Sequence, residues 1–333
     1  MIAAAAQRAI DEKTKPLGSL GELETWAVRL ACIQNTLTPR IDRARILVFG
    51  ADHGVAAEGV SAYPPQVTPE MMRNFARGGA AINVLAKANG LEVEVIDVGV
   101  NADLASLDGI VHASVRRGSR NMLHEPAMTA DECTAAMNAG REAIRRAANE
   151  GVQAVGLGEM GIGNTTAAAA LLSGLTGAPA SETVGRGTGV DDERLAHKRD
   201  VVAQAVAKHA SDNPQATLAA LGGLELAAIA GAALEAPAHG MIVVADGFIS
   251  TVATLAAVRI APNIRTNLFW AHRSAEQGHG VALEALGAIP MLDLKCRLGE
   301  GTGAALAIPL LRSAAAVLTD MATFASASVS REA

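Results

Sequence analysis

The sequence predicts a mostly parallel α/β sheet with helices on both faces, on three grounds. Short runs rich in Val, Ile and Leu, each ending in Gly or a polar residue, are spaced along the chain. Ala-rich stretches at helical spacing lie between them, the alternation expected of parallel strands joined by crossover helices. The strand candidates are nearly continuous in apolar character rather than alternating, as burial on both faces requires. Half of the 333 residues are hydrophobic but only 2% are aromatic, so Ala and Gly must fill the core and let helices lie close to strands.

Taken in order, the strands are Arg45 to Gly50, Val93 to Gly99, Val152 to Gly156 and Ile242 to Gly247. Asn267 to Trp270 and Pro290 to Leu294 are weaker candidates. Helical spacing covers Pro69 to Asn89, Thr129 to Glu150, Arg194 to Ala210 and Gly280 to Leu286. The two ends differ from the middle. Leu20 to Ile33 and Gly303 to Ser326 read as helix, with no strand beyond the second. They are expected to pack together as a small helical unit, residues 1–39 with 296–333, beside an α/β domain of residues 40–295. Pro39 to Arg45 is the nearest thing to a boundary, and no internal repeat is evident.

Composition excludes several function classes. The net charge is −6, from 28 Lys+Arg against 34 Asp+Glu, and no basic run is interleaved with aromatics. A nucleic-acid partner would need a basic face. Cys32, Cys133 and Cys296 lie far apart without a CxxC pair, which suits a reduced, cytoplasmic protein. The apolar start, Met1 to Ala6, gives way at once to charged residues and is too short for a signal segment. No uncharged apolar stretch reaches the roughly 18 residues of a membrane span.

In an open parallel sheet, ligands bind beyond the carboxyl ends of the strands. The unusual residues of this chain fall there. Asp52, His53 and Gly54 follow the first strand; Gly156 to Thr166 is Gly-rich and opens an Ala-rich helix; Asp246 and Gly247 follow Val244; His272 to Glu276 follow Trp270. Glycines let backbone amides approach an anion, and a helix N-terminus holds phosphate through free N–H groups and its dipole. Gly185, Arg186, Gly187, Thr188 and Gly189 form a second such turn with a cation and a hydroxyl. The two suggest a sugar-phosphate site; either alone is equally a tight capped turn. Neither is a Walker A loop, and no GxGxxG follows the first strand. Glu159 and Glu300 are each flanked by glycines, so each is open to whatever approaches. Partial desolvation would raise such a carboxyl toward a general base; Glu300 equally suits a helix start. Asp52 and Asp246 either bind ribose hydroxyls or cap the following helix. His53, His272 and His279 lack metal-ligand spacing. Tyr63, the only tyrosine, sits beside Pro64 and Pro65, where it either walls an aromatic substrate or marks a surface turn.

In this order, several blocks resemble the nicotinate-nucleotide:dimethylbenzimidazole phosphoribosyltransferase family. They are Lys15 to Glu24, Ala51 to Val55, Gly59 to Pro64, Asn74 to Asn83, Glu159 to Thr166, Gly185 to Gly189, Ala245 to Phe248 and Leu298 to Gly303. The resemblance implies a doubly wound, Rossmann-like α/β domain with a small helical domain built from both chain ends. It implies a homodimer whose partner helps close each site. The implied reaction moves the phosphoribosyl group of nicotinate mononucleotide to 5,6-dimethylbenzimidazole, giving α-ribazole 5′-phosphate and nicotinate with inversion, in cobalamin assembly. No metal or other cofactor is expected. Glu300 matches the family's catalytic base and Glu159 its second acidic position. Ser61, Tyr63 and Ser274 match the base pocket. Gly161, Gly163, Asn164 and Thr165, with Gly185, Arg186, Gly187 and Thr188, match the nucleotide loops, and Asp246 lies in a matching block and is expected to bind substrate. Glu70 departs from the glutamine expected in many relatives, which bears on the choice of base. The competing readings are another N-glycosyl transfer and a nucleotide sensor on the same fold.

Overall fold

The computed structural model describes residues 1–330 apart from Thr188. Six parallel strands form one sheet: β1 (Ala44–Ala51), β2 (Glu92–Gly99), β3 (Val111–His112), β4 (Ala154–Met160), β5 (Ile242–Ala245) and β6 (Leu268–Trp270). Their order is β3-β2-β1-β4-β5-β6, the doubly wound arrangement. The chain winds outward from β1 to β3, then crosses back to β4 and winds the other way. The direction reverses between β1 and β4, and a crevice opens beyond their carboxyl ends.

The helices before β4 are α1 (Ile2–Asp11), α2 (Glu22–Gln34), α3 (Val67–Ala76), α4 (Ala81–Ala88) and α5 (Ala130–Asn149). Those after it are α6 (Asn164–Thr176), α7 (Ala180–Thr183), α8 (Asp192–His209), α9 (Pro214–Leu221), α10 (Leu224–Glu235), α11 (Phe248–Ile260), α12 (Gly278–Leu286), α13 (Thr302–Asp320) and α14 (Phe324–Ala327). Strand side chains alternate between two cores, as the period of two requires. Leu47, Phe49, Val155, Leu157, Val243 and Ala245 face α5, α6, α10 and α11. Ile46, Val48, Ala154, Ile242 and Val244 face α1, α2, α4 and α13. On the first face, α5 and α10 cross with almost no side chain between them. A Cβ at Gly140 would collide with the carbonyl of Ala228, and one at Gly231 with the carbonyl of Met137. A capping box starts α5: Thr129 Oγ1 accepts from Glu132 N at 3.1 Å, and Glu132 Oε2 accepts from Thr129 N at 2.8 Å.

The chain ends meet. α1, α2 and α13 bury Ile10, Leu30, Ile308 and Leu311 in one cluster that continues into the sheet. Lys13 Nζ donates to Met321 O at 2.6 Å. Arg312 donates to the carbonyls of Ile41, Asn89 and Gly90. By length and hydropathy α13 is long enough to cross a membrane, but over half of it is buried, as a core helix is.

Several expectations need correction. Pro290 to Leu294 is not a strand. Met291 and Leu292 donate to Trp270 and Ala271 beside β6, but Pro290 has no N–H and the pairing stops at one bridge. Pro69 to Asn89 is two helices, broken where Gly78 turns to φ 78°. β4 starts two residues late and runs through Gly156 and Gly158 to Met160, so Glu159 stands on a strand rather than in a loop. Helices α9, α10 and α11, and the short β3, went unpredicted.

Candidate active site

A cavity of about 600 Å³ opens at the β1–β4 crevice. Its floor is the end of β4 and the turn into α6. One wall is the loop after β5, another the segment from Cys296 to Glu300. Of the predicted residues, Glu300, Glu159, Tyr63, Gly161, Asn164, Thr165, Gly187, Asp246 and Ser274 line it. Ser61, Gly163, Gly185 and Arg186 do not, and Thr188 lies outside the described residues. Glu70 is exposed on α3, away from the cavity.

Glu300 is held in an uncommon backbone conformation. Its φ is 64°, between Gly299 at 87° and Gly301 at 88°. A left-handed non-glycine residue costs about 1–2 kcal/mol and persists only where surroundings impose it. The imposing group is Asp246, at the end of β5. Its Oδ2 accepts from Gly301 N at 3.3 Å and its Oδ1 from Ala304 N at 3.0 Å, which caps α13 from the end of a strand. Both oxygens are thus engaged, by a helix distant in sequence rather than by the one that follows. Burial outweighs these amides and lifts Asp246 to about 7. The Glu300 carboxylate is 6% exposed, with Oε2 accepting from Ile82 N at the start of α4, 3.2 Å away. Burial raises its pKa, the Ile82 amide opposes, and the charge of Asp246 adds to the rise.

Glu159 points from the end of β4 into the same cavity, and Asn164 donates to its Oε2. Burial, with the charges of Glu225, Asp246 and Glu300, pushes it well above the usual carboxylate range. Glu159 and Glu300 therefore share one cavity with Asp246 and Glu276, and burial raises both glutamates.

The cation by the Gly-rich turns is not the one expected. Arg186 is half exposed, donates to Val190 O at 2.9 Å and pairs with Asp192. Lys198, on α8, is 1% exposed instead, and its Nζ donates to Thr165 Oγ1 at 2.8 Å and Gly185 O at 3.3 Å. Burial lowers it to about 8, with Glu276 opposing. Glu276 Oε2 accepts from Gly187 N at 3.2 Å, and Arg297 donates to Gly187 O at 2.7 Å. These groups tie the two turns together; Arg297 directly precedes a recognised block, while Lys198 carried no local signal.

One side of the cavity is apolar. Val67, Met71, Phe248, Ile249 and Leu298 line it, with Tyr63 at the mouth. Ser274 is fixed by His279, whose Nδ1 accepts from Ser274 N at 2.8 Å while Nε2 meets Thr251 Oγ1 at 3.0 Å. Burial, then His272 and Arg273, lowers His279 to about 3, so its ring is neutral. The cavity thus joins an end built from the Gly-rich turns, Glu276 and Arg297 to an apolar slot, and Glu159, Asp246 and Glu300 line it as well.

A family model described as phosphoribosyltransferase matches residues 1–329. The chain is 51% identical over 325 residues to the nicotinate-nucleotide–dimethylbenzimidazole phosphoribosyltransferase of Cupriavidus necator, covering 97% of this chain and 94% of the relative. It is 53% identical over 322 residues to the protein of that name from Pseudomonas aeruginosa, with 96% and 92% covered. Among solved structures, it is similar to CobT from Thermus thermophilus, with a TM-score of 0.96, 51% identity and 99% of each chain covered.

Proposed function

The chain belongs to the nicotinate-nucleotide–dimethylbenzimidazole phosphoribosyltransferase family, and from that premise we propose that it performs that transfer. It takes nicotinate mononucleotide and 5,6-dimethylbenzimidazole and yields α-ribazole 5′-phosphate and nicotinate, for the lower ligand of cobalamin. The observation that carries the mechanism is the buried Glu300 carboxylate on the wall of the apolar slot, its backbone held by Asp246.

One benzimidazole nitrogen attacks the anomeric carbon through its lone pair as the C–N bond to nicotinate breaks. Nicotinate leaves with the bonding pair, which neutralises its cationic ring nitrogen. Positive charge moves to the benzimidazole, and the N–H on its other nitrogen becomes acidic. Glu300 takes that proton, a step worth about 10²–10⁴-fold. Attack from the face opposite nicotinate inverts the anomeric centre. Glu159, pushed up by burial and by its acidic neighbours, is held by Asn164 at the floor of the cavity.

Lys198 and the turns at Gly161 to Thr165 and Gly185 to Gly187 hold the phosphate, remote from the reacting carbon. Tyr63 and Ser274 border the base. Support for the phosphate role is the buried ammonium beside Thr165 and the absence of an acidic residue in the first turn of α6. The protein works as a cytoplasmic homodimer without cofactor, its terminal helices forming one small unit beside the α/β domain. Chromatography of purified protein with both substrates tests the activity. Stoichiometric nicotinate and α-ribazole phosphate are expected. Binding of the mononucleotide with no product would leave the nucleotide site and remove the acceptor.

A further inference from the structure

Under the turn that opens α6 lies a buried polar layer whose residues do not line the cavity. His53, 5% exposed after β1, and Glu225, fully buried in the first turn of α10, share a hydrogen bond of 2.6 Å between Nε2 and Oε1. Glycines surround the imidazole. A Cβ at Gly161 would stand 3.2 Å from His53 Nε2, and one at Gly163 would stand 3.2 Å from His53 Cβ. A Cβ at Gly223, the residue that caps α10, would collide with His53 Cε1. One ring therefore touches the end of β1, the turn after β4 and the start of α10. Beside it, Thr68 Oγ1 accepts from Ile162 N at 3.0 Å and bonds in turn to Asp52.

Stability alone does not account for this pair. A buried ion pair is often no better for stability than apolar residues of the same volume, because both charges lose their water. The layer also leaves His53 Nδ1, Glu225 Oε2 and Asp52 Oδ1 without partners. What the pair does supply is a fixed height for the Gly161–Asn164 turn. Asn164 in turn donates to Glu159.

We infer that the His53–Glu225 pair is a positioning element that sets the Gly161–Asn164 turn at the height needed to receive the nucleotide. This rests on the reading that the turn holds nicotinate mononucleotide. The titratable groups facing His53 are Glu225 and Asp52, and Glu225 also acts on Glu159. Burial opposes the imidazolium, but the charge and hydrogen bond of Glu225, with Asp52, raise His53 above its ordinary range.

The test is Glu225→Gln in the full chain. It keeps the side-chain shape and a hydrogen bond to the imidazole, so folding is preserved, but it removes the charge. Misplacement of a substrate-positioning group by about 1 Å can cost about 10²-fold, so KM for nicotinate mononucleotide should rise about tenfold or more while KM for dimethylbenzimidazole stays unchanged. Amide exchange of residues 161–164 should quicken in parallel. A lower Tm with both KM values unchanged would mean that the pair is only structural and would overturn the inference. Asn164→Ala, measured alongside, separates the two failures. If it weakens nucleotide binding and Glu225→Gln does not, the turn keeps its role and the pair loses its own. If neither weakens binding, both readings fall.

Discussion

Glu300, the proposed base, is placed by atoms to which no chemistry is assigned. Its left-handed backbone, the Asp246 caps and the Ile82 amide together present one carboxylate to the apolar slot. Glu300→Gln should slow turnover at least about tenfold and leave nucleotide binding nearly intact; equal rates in a single-turnover assay would remove it from the role of base. Because its folded pKa is raised, kcat/KM should fall with decreasing pH over a range above that of an ordinary carboxylate, and the Gln variant should lack that acidic limb. Lys198 makes a second prediction at this scale. Lys198→Met should raise KM for the mononucleotide about 10- to 150-fold, as loss of a charged hydrogen bond of about 1.5–3 kcal/mol requires, whereas Arg186→Ala should do little. The reverse result, by calorimetric titration, would return the phosphate to Arg186. The two glutamates were legible in the sequence because glycines flanked them. Lys198 was not, since its partners Thr165 and Gly185 are brought to it only by the fold.

Among the elements, legibility followed contrast. β1 and β2 stood out because apolar runs met polar or Gly ends. Helices α10 and α11 were missed because each is apolar nearly all round and buried, leaving no polar face to show a period of 3.6. β4 was cut short because Gly156 and Gly158 resemble a loop. In the fold, Gly158 is glycine because the Glu300 carbonyl passes directly over it. The α5–α10 crossing rests on the same economy of side chains. Gly140→Ala should destabilise the protein by about 1–3 kcal/mol, the usual cost of overpacking a tight core. Chemical denaturation would measure it, and an unshifted midpoint would mean that the two helices can part without loss.

At the scale of the whole molecule, the doubly wound order decides where chemistry occurs. The reversal between β1 and β4 leaves a crevice whose walls come from segments far apart in the chain, and this much followed from alternating strands and helices. The residues that fill the crevice followed only where their blocks were recognisable. The assembly state is a matter for measurement: light scattering should give twice the chain mass at micromolar concentration, and a monomeric mass with full turnover would dispense with the partner subunit.

Glu300 and the helix it precedes lie beyond all six strands in the sequence, and that helix packs against α1 and α2 from the start of the chain. On the ribosome, then, the sheet and both Gly-rich turns emerge before the proposed proton acceptor does. A nascent chain can form the sheet and both turns well before Glu300 arrives to complete the wall of the cavity.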